Sequence, residues 1–156
     1  MASTRLTDAE PMLALAYTCI LHDFRESTGN DLLLTCTHRS VEEQQKLYAQ
    51  GRTTTGQRVT NVDGITHLSN HNYTPARAVD VAVVVHGKVS WSPADYAPLG
   101  ELAKRYGLVW GGSWRTFKDY PHLELPEGAV TEMTPAPDVS HAGNAGGDTT
   151  KPSVAG

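Results

Sequence analysis

The sequence predicts an α+β fold, a small and mostly antiparallel sheet with helices packed on one side. Three observations carry that reading: a long helical period near the N-terminus, a β-branched run over residues 79–85, and strands and helices that alternate without a regular βαβ repeat. With 156 residues, the chain suits one domain of ordinary size.

Thr7 and Glu10 form a capping-box pattern ahead of Leu13, Ala16, Tyr17, Ile20, Leu21 and Phe24. That spacing predicts a first helix, ended by Gly29-Asn30. The segment DLLLTCT (31–37) reads as a strand with Leu32, Leu34 and Cys36 on one face. Ser40 and Glu43 make a second capping box and open the helix SVEEQQKLYAQ, which stops at Gly51 and has only Val41, Leu47 and Tyr48 to bury. Residues 51–70 show no apolar period and read as a long irregular excursion, the kind of loop that is functional or disordered inside a compact domain. The run 79–85 reads as a buried central strand that His86-Gly87 turns into a hairpin with residues 88–90. Ser92-Pro93 with Asp95 signals a helix start, and Pro98 forces a kink or restart before Leu99, Leu102, Ala103 and Tyr106. LVW (108–110) and HLEL (122–125) supply the last short strands. Residues 1–129 are therefore expected to form one domain, and 130–156, rich in Pro, Gly and Ala, a disordered tail.

Net charge is −4 with a pI near 5.9, which argues against nucleic acid or an anionic membrane as a partner. No run approaches a membrane span, so no stable membrane insertion is expected. The N-terminus lacks a continuous apolar core with a cleavage site, so synthesis in a cytoplasm without a signal peptide is expected, and a monomer. Cys19 and Cys36 belong to no CxxC pair and read as small buried hydrophobes.

One stretch stands apart. SNHNYTPARAVD (69–80) sets His71 and Asp80 on either side of a short loop leading into the central strand, and His122 follows later in KDYPHLEL. Two imidazoles and one carboxylate are a ligand set for a catalytic Zn2+, with a fourth position left open. An aspartate inside an apolar strand is costly unless metal-bound or paired, and pairing with Arg77 is the competing account of Asp80. Asp119, three residues before His122, is the preferred general base; Glu124 competes for that role or orients a histidine. Arg39, between a strand and a capped helix, is positioned to bind a substrate carboxylate or an oxyanion, or to stand exposed without a partner. His67 reads as loop, since HLSNH is not a helical zinc signature.

THRSVEEQQKLYAQGRT, SNHNYTPARAVDVAV and GLVWGGSWRTFKDYPHLEL resemble, in order, the three motif blocks of the LAS-type zinc peptidases. The branch is that of phage and bacterial L-alanyl-D-glutamate peptidases, related to the D-alanyl-D-alanine peptidases of the vancomycin-resistance type. The resemblance spans about residues 6–126. It implies zinc held by His71, Asp80 and His122 at the mouth of the sheet, with Asp119 as catalytic base and Arg39 near the substrate carbonyl. Ser69 and Gln44 match the family's supporting polar residues, and Trp114 stands beside the WGG turn. Two departures are visible. Eight residues separate His71 from Asp80, with Thr74-Pro75 in place of a glycine turn, and Ser113 stands where many relatives carry aspartate. The resemblance further implies a phage endolysin made in the host cytoplasm that cuts the peptidoglycan stem peptide between L-alanine and D-glutamate after release. The alternatives are a D-alanyl-D-alanine carboxypeptidase or dipeptidase, or a catalytically silent wall-binding protein.

Overall fold

A computed structural model describes residues 1–129. The expected tail, 130–156, lies outside the described residues. The first helix, α1 (Pro11–Thr28), begins three residues later than the Thr7 capping box predicts. Pro11 accounts for the shift, because the residue before a proline is pushed out of the helical region. Glu10 therefore becomes the N-cap, its carboxylate accepting the Met12 N–H at 3.0 Å. At the other end Gly29 closes the helix at φ 72°, a left-handed conformation that costs glycine nothing.

Strand β1 (Asp31–Cys36) follows, then α2 (Val41–Ala49) with both hydrogen bonds of the predicted Ser40/Glu43 capping box. The one fully buried side chain of α2 is polar, Gln44, where the apolar stripe pointed to Val41, Leu47 and Tyr48. No regular element occupies residues 51–69. The remaining elements are β2 (Ala78–Val85), β3 (Lys88–Ser90), the single turn α3 (Pro93–Tyr96), α4 (Pro98–Arg105), β4 (Val109–Trp110) and β5 (His122–Glu124). Pro98 does restart the helix. His86 and Gly87 make the predicted two-residue hairpin, with φ 48° and 76°.

All strand pairs are antiparallel, in the order β1-β2-β5-β4, with β3 paired to β2 beyond the end of β5. The long β-branched strand β2 thus lies between β1 on one side and both β5 and β3 on the other. Alternate residues Val79, Val81 and Val83, with Leu123 of β5, pack on Leu13, Ile20 and Phe24 of α1 and Leu99 and Leu102 of α4. One sheet face is therefore the core. The other face carries Asp80 and His122, directly opposite each other in the β2–β5 register. No helix among the described residues is long and apolar enough to cross a membrane.

Phe24 of α1 is fully buried in the hydrophobic core. Phe24→Ala should lower unfolding free energy by about 3–5 kcal/mol, read in urea as a lower midpoint with unchanged slope.

Candidate metal centre

The site is assembled where β2 and β5 pair on the face away from α1 and α4. Register sets Asp80 against His122 and Ala78 against Glu124, so the two carboxylates and the imidazole share that face. A bulge in β1 between Leu34 and Cys36 pairs Cys36 with Asp80. Cys36 therefore leaves the face of Leu32 and Leu34 that strict alternation assigned to it. Its Sγ lies 3.6 Å from His71 Nδ1, so it borders the site as well as filling space. His71 arrives from outside the sheet, on the single 3-10 turn Asn70–Asn72, whose N-cap Ser69 accepts the His71 backbone N–H through Oγ at 3.3 Å.

The hydrogen bonds of the two imidazoles assign their protons. His71 Nδ1 donates to the Thr37 carbonyl at 2.7 Å, an acceptor only, so in the neutral ring Nε2 is bare. That Nε2 lies 3.2 Å from Asp80 Oδ1, yet it has no hydrogen-bond partner although the side chain is only 2% exposed. His122 Nε2 donates to Glu124 Oε2 at 2.7 Å, and the same oxygen accepts from Asn70 Nδ2 at 2.8 Å. His122 Nδ1 is thereby turned to Asp80 Oδ1, 3.0 Å away. One carboxylate oxygen thus meets a nitrogen of each histidine, and the rings stand edge-on with centroids 5.2 Å apart. Asp119 brings a further carboxylate: one ligating atom each of Asp80, Asp119 and His122 lie within 4.8 Å of one another, as do those of Cys36, His71 and Asp80.

Burial would strip the proton from His71, but the adjacent Asp80 charge more than offsets this and holds the ring at about 10. The same opposition, with hydrogen bonds to Asp80 and Glu124, brings His122 to about 9. For Asp80, burial works in the other direction, and the two imidazoles prevail, holding it well below the usual carboxylate range. Asp119 moves the opposite way, pushed up by burial and then by the negative charge of Asp80. Two carboxylates on one site thus differ in proton affinity through their surroundings.

Arg39 packs against this cluster. Nη1 donates to Gln44 Oε1 at 2.9 Å, and Nη2 lies 3.4 Å from Asp80 Oδ2 and 3.5 Å from Cys36 Sγ. Asp80 is therefore paired with Arg39, not Arg77, and Arg39 is not an unpartnered exposed cation. Gln44 also donates through Nε2 to the Val62 carbonyl at 2.8 Å, clamping the long excursion to Arg39. The inserted residues between His71 and Asp80 fold back on the N-terminal segment: Ala76 donates to Asp8 and accepts from Glu10, through main-chain bonds of 2.9 and 2.8 Å. Ser113 donates to the Trp110 carbonyl at 2.7 Å and closes its own turn. Trp114 lies 5.2 Å from the His122 ring, centroid to centroid. Gly111 admits the close approach that seats Asp119, since a Cβ there would meet the Asp119 carbonyl at 2.3 Å.

These groups line one cavity of about 550 Å3, shared by Arg39, Ser69, His71, Asp80, Trp114, Asp119, His122 and Glu124. Of the residues singled out in the sequence, only Gln44 stands behind the wall, and it holds Arg39. His67 stays in the loop, exposed, its N–H bound to Asp63. Sequence reasoning missed Asn70 and Asn72. Asn72 donates to the Arg39 carbonyl at 2.9 Å and accepts the Ser69 N–H, while Arg39 N–H donates to the His71 carbonyl at 2.9 Å. The signal was present in two asparagines flanking His71, at positions where short amides bridge loops.

Fold and site together define an α+β domain with a His–Asp–His cluster that could hold a metal ion, at the foot of a cleft. Residues 63–125 match the peptidase M15 family model described as D-alanyl-D-alanine carboxypeptidase. The chain is 40% identical over 107 residues to the peptidoglycan L-alanyl-D-glutamate endopeptidase CwlK of Bacillus subtilis (strain 168), covering 62% of each protein. It thus spans 62% of the length of that curated relative. Among solved structures it is similar to the Serratia marcescens L-Ala D-Glu endopeptidase ChiX, with a TM-score of 0.58 at 24% identity over 78% of this chain and 83% of that one. The likeness to ChiX speaks for the fold.

The raised imidazoles give the metal-free protein a defined pH response. Their contribution to stability is full below about pH 6.5, where both folded and unfolded rings are protonated, and is lost as pH rises through about 9 to 10. In chelator, the urea midpoint should therefore fall between about pH 6.5 and about pH 10 and level off above, and His122→Phe should flatten that fall.

Proposed function

We propose that this chain is a zinc-dependent peptidoglycan peptidase that hydrolyses the L-alanyl-D-glutamate bond of the stem peptide. The observation that carries the reading is His71 Nε2, a buried imidazole nitrogen without a hydrogen-bond partner, beside a carboxylate oxygen that also meets His122 Nδ1. A cation held by His71, Asp80 and His122 would satisfy that atom. Two nitrogens and one carboxylate oxygen suit zinc and leave a coordination position open.

When bound, zinc supplies a Lewis acid that polarises a peptide carbonyl and acidifies water. The rest of the chemistry belongs to the side chains. Asp119, its proton affinity raised by burial and by Asp80, takes a proton from the attacking water and hands it to the departing amine. Arg39 offers its guanidinium to the oxygen of the attacked carbonyl, with Gln44 fixing its angle. Glu124 keeps the proton of His122 on Nε2, so that Nδ1 remains a ligand. Trp114 covers the His122 ring and helps to exclude water.

The printed activity of the CwlK relative supports the L-alanyl-D-glutamate bond as the point of cleavage. The description of the matched family favours a second reading, release of D-alanine from a D-alanyl-D-alanine end by the same residues. We read the enzyme as a monomeric phage-type endolysin, made in the host cytoplasm and acting on the wall after release, on the strength of its three motif blocks.

His71→Ala, Asp80→Ala and His122→Ala should each lose zinc in metal analysis. Asp119→Ala should keep one zinc per chain and lose about a thousandfold in turnover; near-normal activity would move the base to Glu124. Mass spectrometry of digested peptidoglycan should show peptides beginning with D-glutamate. Free D-alanine with intact L-alanyl-D-glutamate bonds would favour the second reading, and wall binding without any product would make the protein a silent binder.

A further inference from the structure

Two non-glycine residues among those described have positive φ, His86 and Phe117. His86 needs no further account, since the two-residue hairpin it forms with Gly87 demands that conformation. Phe117, at φ 52°, is different. It lies in the loop between the Gly111–Ser113 turn and β5, two residues before Asp119. That loop is cinched at its base: Asp119 N–H donates to the Gly111 carbonyl at 3.0 Å, and Lys118 Nζ to the Gly112 carbonyl at 3.1 Å. Loop closure explains a left-handed residue at this point, for which glycine or asparagine is the unstrained choice. It does not explain a bulky aromatic. Nor does packing, because Phe117 is 44% exposed and absent from the hydrophobic core.

The place where the ring does contribute is the cleft. Phe117 lines the same cavity as Asp119 and His122, and so do Val59 and Leu68 of the long excursion, themselves 43% and 48% exposed. Two loops thus bring half-exposed apolar side chains to a cavity whose floor is charged. Backbone strain held by surrounding bonds and placed beside reactive groups is the pattern of a ligand contact.

We propose that Phe117, with Val59 and Leu68, forms the subsite for the small aliphatic side chain next to the scissile bond, which in the substrate proposed above is the alanine methyl. This rests on the peptidase reading. The ring fixes the acyl side of the bond, so that the carbonyl meets the floor beside Asp119 in a reactive orientation.

The test couples protein and substrate. The zinc-loaded full chain, wild type and Phe117→Ala, Phe117→Gly and Phe117→Tyr, is assayed on a soluble stem tetrapeptide with L-alanine and on its counterpart with glycine in that place. For the wild type, removing the methyl should lower kcat/KM about tenfold. Phe117→Ala and Phe117→Gly should lose about tenfold on the alanine peptide and discriminate less than twofold between the two, whereas Phe117→Tyr should keep both rate and discrimination. Melting of the same variants isolates the strain: Phe117→Gly should melt roughly 3 °C above Phe117→Ala, reversing the ordinary order of the two residues. Unchanged discrimination in Phe117→Ala would overturn the subsite, as would rates that merely follow melting temperature. A wild type that cleaves neither peptide nor peptidoglycan overturns the peptidase reading and the subsite with it.

Discussion

Asp80 sits within β2, the longest strand of the sheet, and a carboxylate there is tolerable only if positive or proton-donating groups surround it. Everything around the site answers that demand. His122 comes from the neighbouring strand in register, His71 from a capped turn, and Arg39 from the junction of β1 and α2. Each reaches Asp80 from a different element, so the charge that would destabilise the strand ties three segments together instead. In the metal-free protein two imidazoles take up this role. A cation shared by the same three residues would do so with one charge centre and would release the proton-bound rings.

The side chains nearest the carboxylate are themselves held by groups one step further out. The Thr37 carbonyl sets the proton of His71, Glu124 that of His122, and Asn70 holds Glu124. Gln44 links Arg39 to the irregular excursion at Val62, and Asn72 links the His71 turn to the Arg39 carbonyl. A loop of some twenty residues without regular structure thereby becomes one wall of a cleft through a few amide hydrogen bonds. The opposite electrostatic outcomes for Asp80 and Asp119 follow from the same neighbourhood: one carboxylate touches both imidazoles, while the other is buried nearby with the first carboxylate's charge facing it.

Much of this was legible in the chain. Helical spacing from Leu13 to Phe24, the Ser40/Glu43 capping box, the β-branched run of β2 and the His86-Gly87 turn rest on local preferences, which operate within a few residues and survive folding unchanged. The same holds for the cost of an aspartate in that run, which marked Asp80, and for the histidines near it. Local reading failed where a local rule met a stronger one. Pro11 moved the start of α1, and a bulge moved Cys36 from the core face to the site. The buried residue of α2 proved to be a glutamine because its partners lie in a loop with no period to read.

By itself, then, the sequence determined the elements, the fold class and the chemical types gathered at the site, because those depend on periodicity, capping and the energetic oddity of single residues. Tertiary structure alone decided which nitrogen of each histidine faces Asp80, which arginine pairs with it, and which carboxylate has its proton affinity raised. It also set Phe117 in a strained conformation at the mouth of the cleft. These are matters of distance and direction between segments far apart in the chain. They are settled by strand register and by loop hydrogen bonds that no local pattern encodes.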